Sequence, residues 1–191
     1  NELHPTQNIF IAFDGVAPLA KLDQQRSRRY KSWYQSLSES QQKWDTISIT
    51  PGTKFMTKLN KRIYSEFNIS DPNKYGVCHL HVSGSDKVGE GEHKLFEHIR
   101  NNKLEHLQQN TVIYGLDADL IMLSINHLPL TKNIFLYRET PHFIRTINAD
   151  LEPNFLYFID IPSLATAIIS DMTDNEQNNN TVSNNRRLYD Y

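Results

Sequence analysis

The sequence predicts an α/β fold with a largely parallel central sheet flanked by helices. Short apolar runs at 8–13 and 111–116 lead into acidic residues, as buried strands with polar ends do. Longer segments at 53–67 and 92–107 carry apolar residues at helical spacing and separate those runs. Strands that alternate with helices along a chain are typical of parallel sheets. In such sheets the functional site lies at the carboxyl ends of the strands.

The remaining elements are predicted from the same patterns. Pro51-Gly52 interrupts the chain between two helical segments, and Pro162 suits the first turn of a helix. The predicted strands are 8–13, 77–82, 111–116, 133–138 and 155–160. The predicted helices are about 20–43, 53–67, 92–107, 119–126 and 162–172.

The chain has 191 residues, enough for one domain with a core. We expect residues 1–173 to belong to that domain, 174–185 to be a polar, Asn-rich loop or linker, and 186–191 to begin a further helix. No apolar run approaches the roughly 20 residues of a membrane span, so no membrane association is predicted. The single cysteine, Cys78, has apolar neighbours and is expected to be a buried thiol.

Acidic residues follow three of the predicted strands. They are Asp14 after the first strand, Glu90 and Glu92 in the loop after the second, and Asp117 and Asp119 after the third. Because parallel strands end at the same edge of a sheet, one cleft can gather these side chains. The alternative is a set of solvated loop acids, since Asp and Glu are mostly exposed in proteins.

The spacing within each acidic pair supports the shared cleft. Asp117 and Asp119 are two residues apart, and residues two apart in extended chain point to the same side. Glu90 and Glu92 have the same spacing, and Gly91 lets the backbone bend between them. Clustered carboxylates repel one another unless a cation offsets them, and Mg²⁺ prefers such oxygen ligands. Two ions can assist phosphodiester cleavage, but the spacing does not separate a nuclease from a phosphatase or another phosphotransferase.

A basic segment follows the first of these acids. The protein has a net charge of −2, so any binding of nucleic acid needs a local positive patch. Residues 21–31 supply one, and four polar side chains there share a helix face at i, i+4, i+7 and i+8. They are Lys21, Gln25, Arg28 and Arg29. Arginine and lysine suit phosphate groups, whereas the alternative is an ordinary solvated helix face.

Five segments together resemble the XRN family of 5′→3′ exoribonucleases. They are Phe13-Asp14-Gly15-Val16-Ala17-Pro18 with Gln24-Gln25-Arg26-Ser27-Arg28-Arg29; Ile49-Thr50-Pro51-Gly52-Thr53; Gly89-Glu90-Gly91-Glu92-His93-Lys94; Tyr114-Gly115-Leu116-Asp117-Ala118-Asp119; and Leu136-Tyr137-Arg138-Glu139. The segments occur in the order the family has them, within residues 9–139. Leu19 and Val88 stand where the family has Arg and Pro, at positions without an assigned chemical role.

The resemblance implies a nuclease fold related to the PIN and flap-endonuclease proteins. It implies Mg²⁺ or Mn²⁺ in two copies. It also implies single-stranded RNA with a 5′-monophosphate as the substrate, which is hydrolysed stepwise to nucleoside 5′-monophosphates. The implied catalytic and metal residues are Asp14, Glu90, Glu92, Asp117 and Asp119. The implied 5′-phosphate ligands are Lys21, Gln25, Arg28 and Arg29.

The resemblance also implies that further catalytic residues of the family precede Asn1 and follow Tyr191, so that this stretch by itself would hold an incomplete site. A structure-specific DNA nuclease of the flap-endonuclease type and a non-catalytic RNA-binding module are the alternatives. The sequence shows no basic nuclear import signal, which favours a cytoplasmic location over the nuclear one that the family also has.

Overall fold

A computed structural model describes residues 3–37, 46–67, 72–140 and 144–174 of the chain. These residues belong to two compact units, which meet in the sequence between Leu95 and Phe96. Among the described residues, no helix combines the length and apolar character that a membrane crossing requires.

The first unit is built on two parallel strands, β1 (Asn8–Ala12) and β2 (His79–Ser83). Asn8 pairs with His79 and Ala12 with Ser83, so both strands end at the same edge. Their connection contains α1 (Leu19–Ser36), a 3-10 turn (Thr46–Ser48), α2 (Lys54–Phe67) and a second 3-10 turn (Pro72–Tyr75). Such a long connection is what a parallel pair requires.

The two long helices of this unit are packed very differently. On α2, Met56, Asn60 and Ile63 are buried, at the spacing of one helix face. Thr53 precedes α2 and accepts a hydrogen bond from the backbone N–H of Met56 through its hydroxyl, which satisfies a donor that a helix start leaves unpaired. In contrast, α1 is described throughout and has no buried residue.

The second unit contains a three-stranded sheet in the order β3 (Asn110–Tyr114), β4 (Asn133–Glu139) and β5 (Leu156–Asp160). The β3–β4 pair is parallel and the β4–β5 pair is antiparallel. The helices near it are α4 (Lys103–His106), α5 (Asp119–Asn126), α6 (Ile144–Ile147) and α7 (Ile161–Asp174). A further helix, α3 (Gly91–Asn101), begins in the first unit and ends in the second.

A compact apolar core stabilises the second unit. The helices α5 and α7 both pack on β4, the central strand. Phe96, Ile134, Leu136 and Ile161 are completely buried there. A central strand that is covered by helices is expected to carry a run of bulky apolar residues, as β4 does at residues 134–137.

The α/β class predicted from the sequence is confirmed, and most element positions agree within a few residues. The described strands nevertheless form two small sheets rather than one largely parallel central sheet. One reason is visible at β5. In its described residues, the link from β4 to β5 contains only the four-residue α6 and no crossover helix, so β5 returns antiparallel to β4.

Two further predictions concern the burial of Cys78 and the division of the chain into a domain, a linker and a new helix. The expected burial of the thiol is wrong, because Cys78 is exposed immediately before β2, where its backbone N–H donates to the Gln7 carbonyl. The division into a domain over 1–173, a linker over 174–185 and a new helix over 186–191 stays a prediction. Apart from Asp174, the last two of these segments lie outside the described residues.

Candidate active site

The predicted cation ligands of the first unit lie at the carboxyl edge of its parallel sheet. Asp14 follows β1 by two residues, and the loop 84–90 follows β2. The Asp14 Oδ1 atom accepts a hydrogen bond of 2.6 Å from the backbone N–H of Gly91, the first residue of α3. A helix N-terminus favours negative charge, so this contact stabilises the Asp14 carboxylate. Its second oxygen can still bind a cation.

Glu90 and Glu92 stand on either side of that same helix start. Glu90 is buried, with 7% of its surface exposed, and Glu92 is half-buried. Together with the exposed His93 they form a group whose ligand atoms all lie within 4.8 Å of one another. The His93 Nε2 atom is 3.7 Å from Glu90 Oε2 and 3.9 Å from Glu92 Oε1. Two carboxylates and one imidazole at this spacing can hold a divalent cation.

The role of Gly91 in the structure differs from the one predicted from the sequence. It was expected to bend the backbone between the two glutamates, but it is the first residue of α3 and has no left-handed backbone conformation. A Cβ atom at this position would lie 3.2 Å from Asp14 Oδ1 and 3.3 Å from the Ala12 carbonyl oxygen. The missing side chain therefore allows Asp14 to approach the helix start closely.

The basic helix α1 contacts the carboxylate group at one point. The Lys21 Nζ atom donates a hydrogen bond of 2.8 Å to Glu90 Oε2. The Lys21 side chain is 43% exposed and that of Glu90 is 9% exposed, so the pair is only partly shielded from water. One turn further along α1, Arg29 Nη2 donates to Gln25 Oε1 at 3.2 Å. Lys21, Gln25 and Arg29, predicted as phosphate ligands, thus extend along α1 from the carboxylates.

Arg28 is exposed on the same helix, and a neighbouring face of α1 forms a shallow groove. The groove is lined by Leu22, Arg26, Arg29, Tyr30, Trp33 and Ile47. The rings of Tyr30 and Trp33 have centroids 5.6 Å apart, and 45% of Trp33 is exposed. Neither ring is buried.

A buried lysine holds the two acidic segments of the first unit. Lys94, on α3, has 7% of its surface exposed. Its ammonium group donates to the carbonyl oxygens of Phe13, Gly84 and Lys87 at 2.8, 2.9 and 3.0 Å. Burial lowers the pKa of Lys94 from its ordinary value, while the charge of Asp14 opposes that shift. No role for Lys94 was predicted, although it lies beside the apolar positions of its predicted helix.

Helix α2 supports the same loop from another direction. Asn60 donates from Nδ2 to the Ser85 hydroxyl at 2.8 Å and accepts from the Ser85 backbone N–H at 3.1 Å. Tyr64 donates from its hydroxyl to Asp86 at 2.7 Å and accepts from the Gly84 N–H at 2.9 Å. Burial, followed by the hydrogen bond to Asp86, raises the pKa of Tyr64. The loop before Glu90 is therefore fixed by side chains as well as by its own backbone.

The second unit carries the other acidic pair. Asp117 and Asp119 are exposed, and the Asp119 backbone N–H donates to Asp117 Oδ1 at 3.3 Å. The extended geometry expected for this pair is wrong, because Asp119 is the first residue of α5 and Ala118 already has helical backbone angles. The backbone before Asp117 is held by Arg138, whose Nη2 atom donates to the Leu116 carbonyl at 2.8 Å.

Sequence comparison places these features in a known family. Residues 1–140 match the family described as XRN 5′-3′ exonuclease N-terminus. The chain belongs to this XRN family. The resemblance expected from the five sequence segments is thereby confirmed.

Individual XRN relatives agree with the family match. The 5′-3′ exoribonuclease 1 of Saccharomyces cerevisiae is 40% identical over 141 residues, which span 65% of this chain and 9% of the relative. The 5′-3′ exoribonuclease 2 of Schizosaccharomyces pombe is 40% identical over 153 residues, spanning 64% of this chain and 15% of the relative. The human 5′-3′ exoribonuclease 1 is 37% identical over 141 residues, which span 64% of this chain and 8% of the relative. The chain thus spans a small part of each relative.

The residues of this XRN chain fit a divalent cation in the first unit. Glu90 and Glu92 provide oxygen ligands, and Asp14 lies at the helix start between them. His93 adds a nitrogen ligand, and no direct contact with a cation was predicted for it. The order Glu-x-Glu-His was visible in the sequence, but only the fold shows that the imidazole reaches both carboxylates.

Proposed function

We propose that this protein is a metal-dependent 5′→3′ exoribonuclease. It binds single-stranded RNA that carries a 5′-monophosphate and hydrolyses it stepwise to nucleoside 5′-monophosphates. The proposed catalytic domain covers residues 1–173 and has a fold of the PIN and flap-endonuclease type. We also propose a cytoplasmic location, because the sequence shows no basic nuclear import signal.

One observation supports this proposal above the others. The Lys21 ammonium, at the start of the basic helix face, lies 2.8 Å from a Glu90 carboxylate oxygen. A group of cationic and amide side chains that adjoins a carboxylate cluster can bind a terminal phosphate beside a cation site. An enzyme built in this way would cut next to the phosphate that it holds.

The phosphate-binding residues have a distinct task in the proposed reaction. Arg28 and Arg29 supply planar donors, Lys21 a compact charge and Gln25 a neutral donor for the 5′-phosphate. Their binding would fix the position of the first phosphodiester relative to the carboxylates. Hydrolysis of the P–O3′ bond leaves a new 5′-monophosphate on the remaining RNA. The same four side chains can therefore bind each successive end.

The acidic residues hold the cation in this proposal. Asp14, Glu90 and Glu92 would bind it in the first unit. Asp117 and Asp119, in the second unit, are proposed as further metal ligands. Mg²⁺ or Mn²⁺, in two copies, supplies Lewis-acid stabilisation of the attacking and leaving oxygens when bound. The contacts of Asp14 with Gly91 and of Glu90 with Lys21 keep these carboxylates in place for that role.

Degradation of matched RNAs by the full natural chain tests the proposal. A 5′-monophosphate RNA should disappear with Mg²⁺ or Mn²⁺ present, should release mononucleotides, and should be stable in EDTA. Its 5′-triphosphate twin should be degraded at least about tenfold more slowly, because a triphosphate does not fit four side chains arranged for one phosphate. Glu92→Gln should lower the rate about 100-fold, as loss of an electrostatic group in an active site does.

Arg28→Gln and Arg26→Gln form a matched pair for the phosphate site. Arg28 lies on the proposed phosphate face, whereas Arg26 lies on the neighbouring face of the same helix. Arg28→Gln should raise KM for the monophosphate RNA, and Arg26→Gln should leave it unchanged. Equal degradation of both RNAs would disprove the phosphate site. Faster cutting of DNA flaps would favour a DNA nuclease, and binding of RNA without cutting would favour an RNA-binding module.

A further inference from the structure

Lys94 connects the segments that carry the candidate cation ligands of the first unit. Its ammonium group contacts the carbonyl of Phe13, which directly precedes Asp14. It also contacts the carbonyls of Gly84 and Lys87, in the loop that leads to Glu90. The lysine itself is on α3, two residues after Glu92. One side chain thus ties three stretches of backbone together.

The chemistry of the contact suits a lysine in particular. An ammonium group has three N–H donors, and Lys94 uses them on three carbonyl oxygens at 2.8–3.0 Å. The side chain is buried, so the loss of these donors would remove a hydrogen bond from each of the three carbonyls in a poorly solvated place. A planar guanidinium has a different donor geometry, and methionine has no donor.

The backbone around this lysine is packed so tightly that its movement would reach the acidic residues. Gly15 lies against the Lys87 carbonyl, where even a Cβ atom would overlap that oxygen. The Gly15 N–H donates to the Gly89 carbonyl at 2.8 Å, and the Gly89 N–H donates to the Val16 carbonyl at 3.1 Å. A shift of the loop 84–89 is therefore transmitted to both Asp14 and Glu90.

We infer that Lys94 is a positioning residue of the cation site. It fixes the backbone on both sides of the site, so that Asp14, Glu90 and Glu92 are arranged before a cation binds. This inference rests on the proposed nuclease site and adds to it a residue that touches neither the cation nor the RNA. Its loss should act mainly on cation affinity.

The test compares Lys94→Met with Lys58→Met in the full natural chain. Lys58 is exposed on α2, so its substitution makes the same chemical change without a buried contact. Titration with Mn²⁺ in the absence of RNA should show affinity that is about 10–100-fold weaker for Lys94→Met, as for other residues that orient metal ligands. Amide hydrogen exchange of residues 84–90 in the cation-free protein should be faster in the same variant. Lys58→Met should change neither measurement.

RNA degradation gives a second readout of positioning. The rate of Lys94→Met should recover when the Mn²⁺ concentration is raised, whereas KM for 5′-monophosphate RNA should stay the same. An unchanged Mn²⁺ affinity would overturn the inference. So would a reduced activity that added Mn²⁺ does not restore, because that result would indicate a purely structural role.

Lys94→Gln extends the test if the methionine variant does not fold. Glutamine keeps two donors on a shorter side chain, so an intermediate loss of Mn²⁺ affinity is expected. If neither variant folds, Lys94 is a folding residue and the inference is overturned. If the unsubstituted protein binds Mn²⁺ without degrading RNA, the proposed function fails, while Mn²⁺ affinity still decides the role of Lys94. If the unsubstituted protein binds no Mn²⁺, both are overturned.

Discussion

Each of the two units carries an aspartate after a strand, Asp14 in the first unit and Asp117 in the second, but the contacts that hold the two aspartates differ. In each, a basic side chain donates to the carbonyl just before a strand-end aspartate. Lys94 holds the Phe13 carbonyl before Asp14, and Arg138 holds the Leu116 carbonyl before Asp117, both at 2.8 Å. The first contact is one of three made by a buried ammonium, whereas the second is a contact at the protein surface.

The difference concerns how much of the arrangement is fixed before a cation binds. Glu90 is buried and Asp14 accepts from a helix N-terminus, so their positions follow from the packing of the first unit. Asp117 and Asp119 are exposed, and water solvates their charges. A buried polar contact is costly to break, whereas an exposed one is easily replaced by water. Substitutions near Asp14 and Glu90 should therefore have larger effects on stability than equivalent substitutions near Asp117 and Asp119.

The largest effect is expected from a methyl group placed after each strand. In Gly15→Ala, the new Cβ overlaps the backbone carbonyl of Lys87, which cannot move without disturbing its contact with Lys94. In Gly115→Ala, the new Cβ meets only the end of the Leu120 side chain, which can change rotamer. We expect losses in unfolding free energy of about 3 kcal/mol and about 1 kcal/mol, measured by urea denaturation. Equal losses would mean that the two strand ends are packed alike.

A fall in pH is expected to have an intermediate effect on stability, because the second unit contains a buried histidine. In the second unit His127 is buried, and burial, aided by the Arg100 charge, lowers its pKa against the opposing hydrogen bond to the Leu123 carbonyl. The unfolded chain then binds a proton more readily than the folded one. Stability that is fully present above the ordinary value of 6.5 is therefore lost as the pH falls below it. In the first unit His93 is exposed.

Residue-resolved urea unfolding by NMR between pH 7 and pH 5 measures this difference. Signals of Ile125 and Ile134, in the second unit, should report a stability that decreases with falling pH. His127→Gln should make that decrease smaller, while His93→Gln serves as the control and should leave it unchanged. A slope that His127→Gln does not alter would show that other groups cause the pH dependence.

The smallest effect is expected from Arg138→Met. The Arg138 contact with the Leu116 carbonyl is at the surface, so water can replace the lost donor. We expect a loss of about 0.5 kcal/mol in urea unfolding. Lys132→Met, at another exposed position of the same unit, should cause no measurable change. A loss of several kcal/mol in Arg138→Met would mean that the second acidic pair is held as firmly as the first.

Much of the fold was predictable from local patterns. The strands β1, β3 and β4 begin and end within two residues of their predicted positions, because short apolar runs bounded by polar residues have few other solutions. The position of Asp14 at a strand end was predictable for the same reason. The antiparallel β5 was not, since strand direction depends on how the chain returns rather than on the apolar run itself.

The candidate site was predictable as a set of residues but not as an arrangement. The acidic residues and the basic helix face are visible as spacings in the sequence. The exposure of Cys78 and the burial of Lys94 contradict the average behaviour of these residue types. Gly91 illustrates the same limit, because its function is to admit the carboxylate of Asp14, a residue far away in the chain.

The sequence by itself determined the family, the α/β class and the acidic and basic side chains available for chemistry, because these depend on residue type and on short-range periodicity. Only the tertiary structure decided that Lys21 pairs with Glu90 and that Lys94 joins the carbonyls of Phe13, Gly84 and Lys87. Those contacts connect residues that are distant in the chain, and their energies arise from burial, which exists only once the chain has folded.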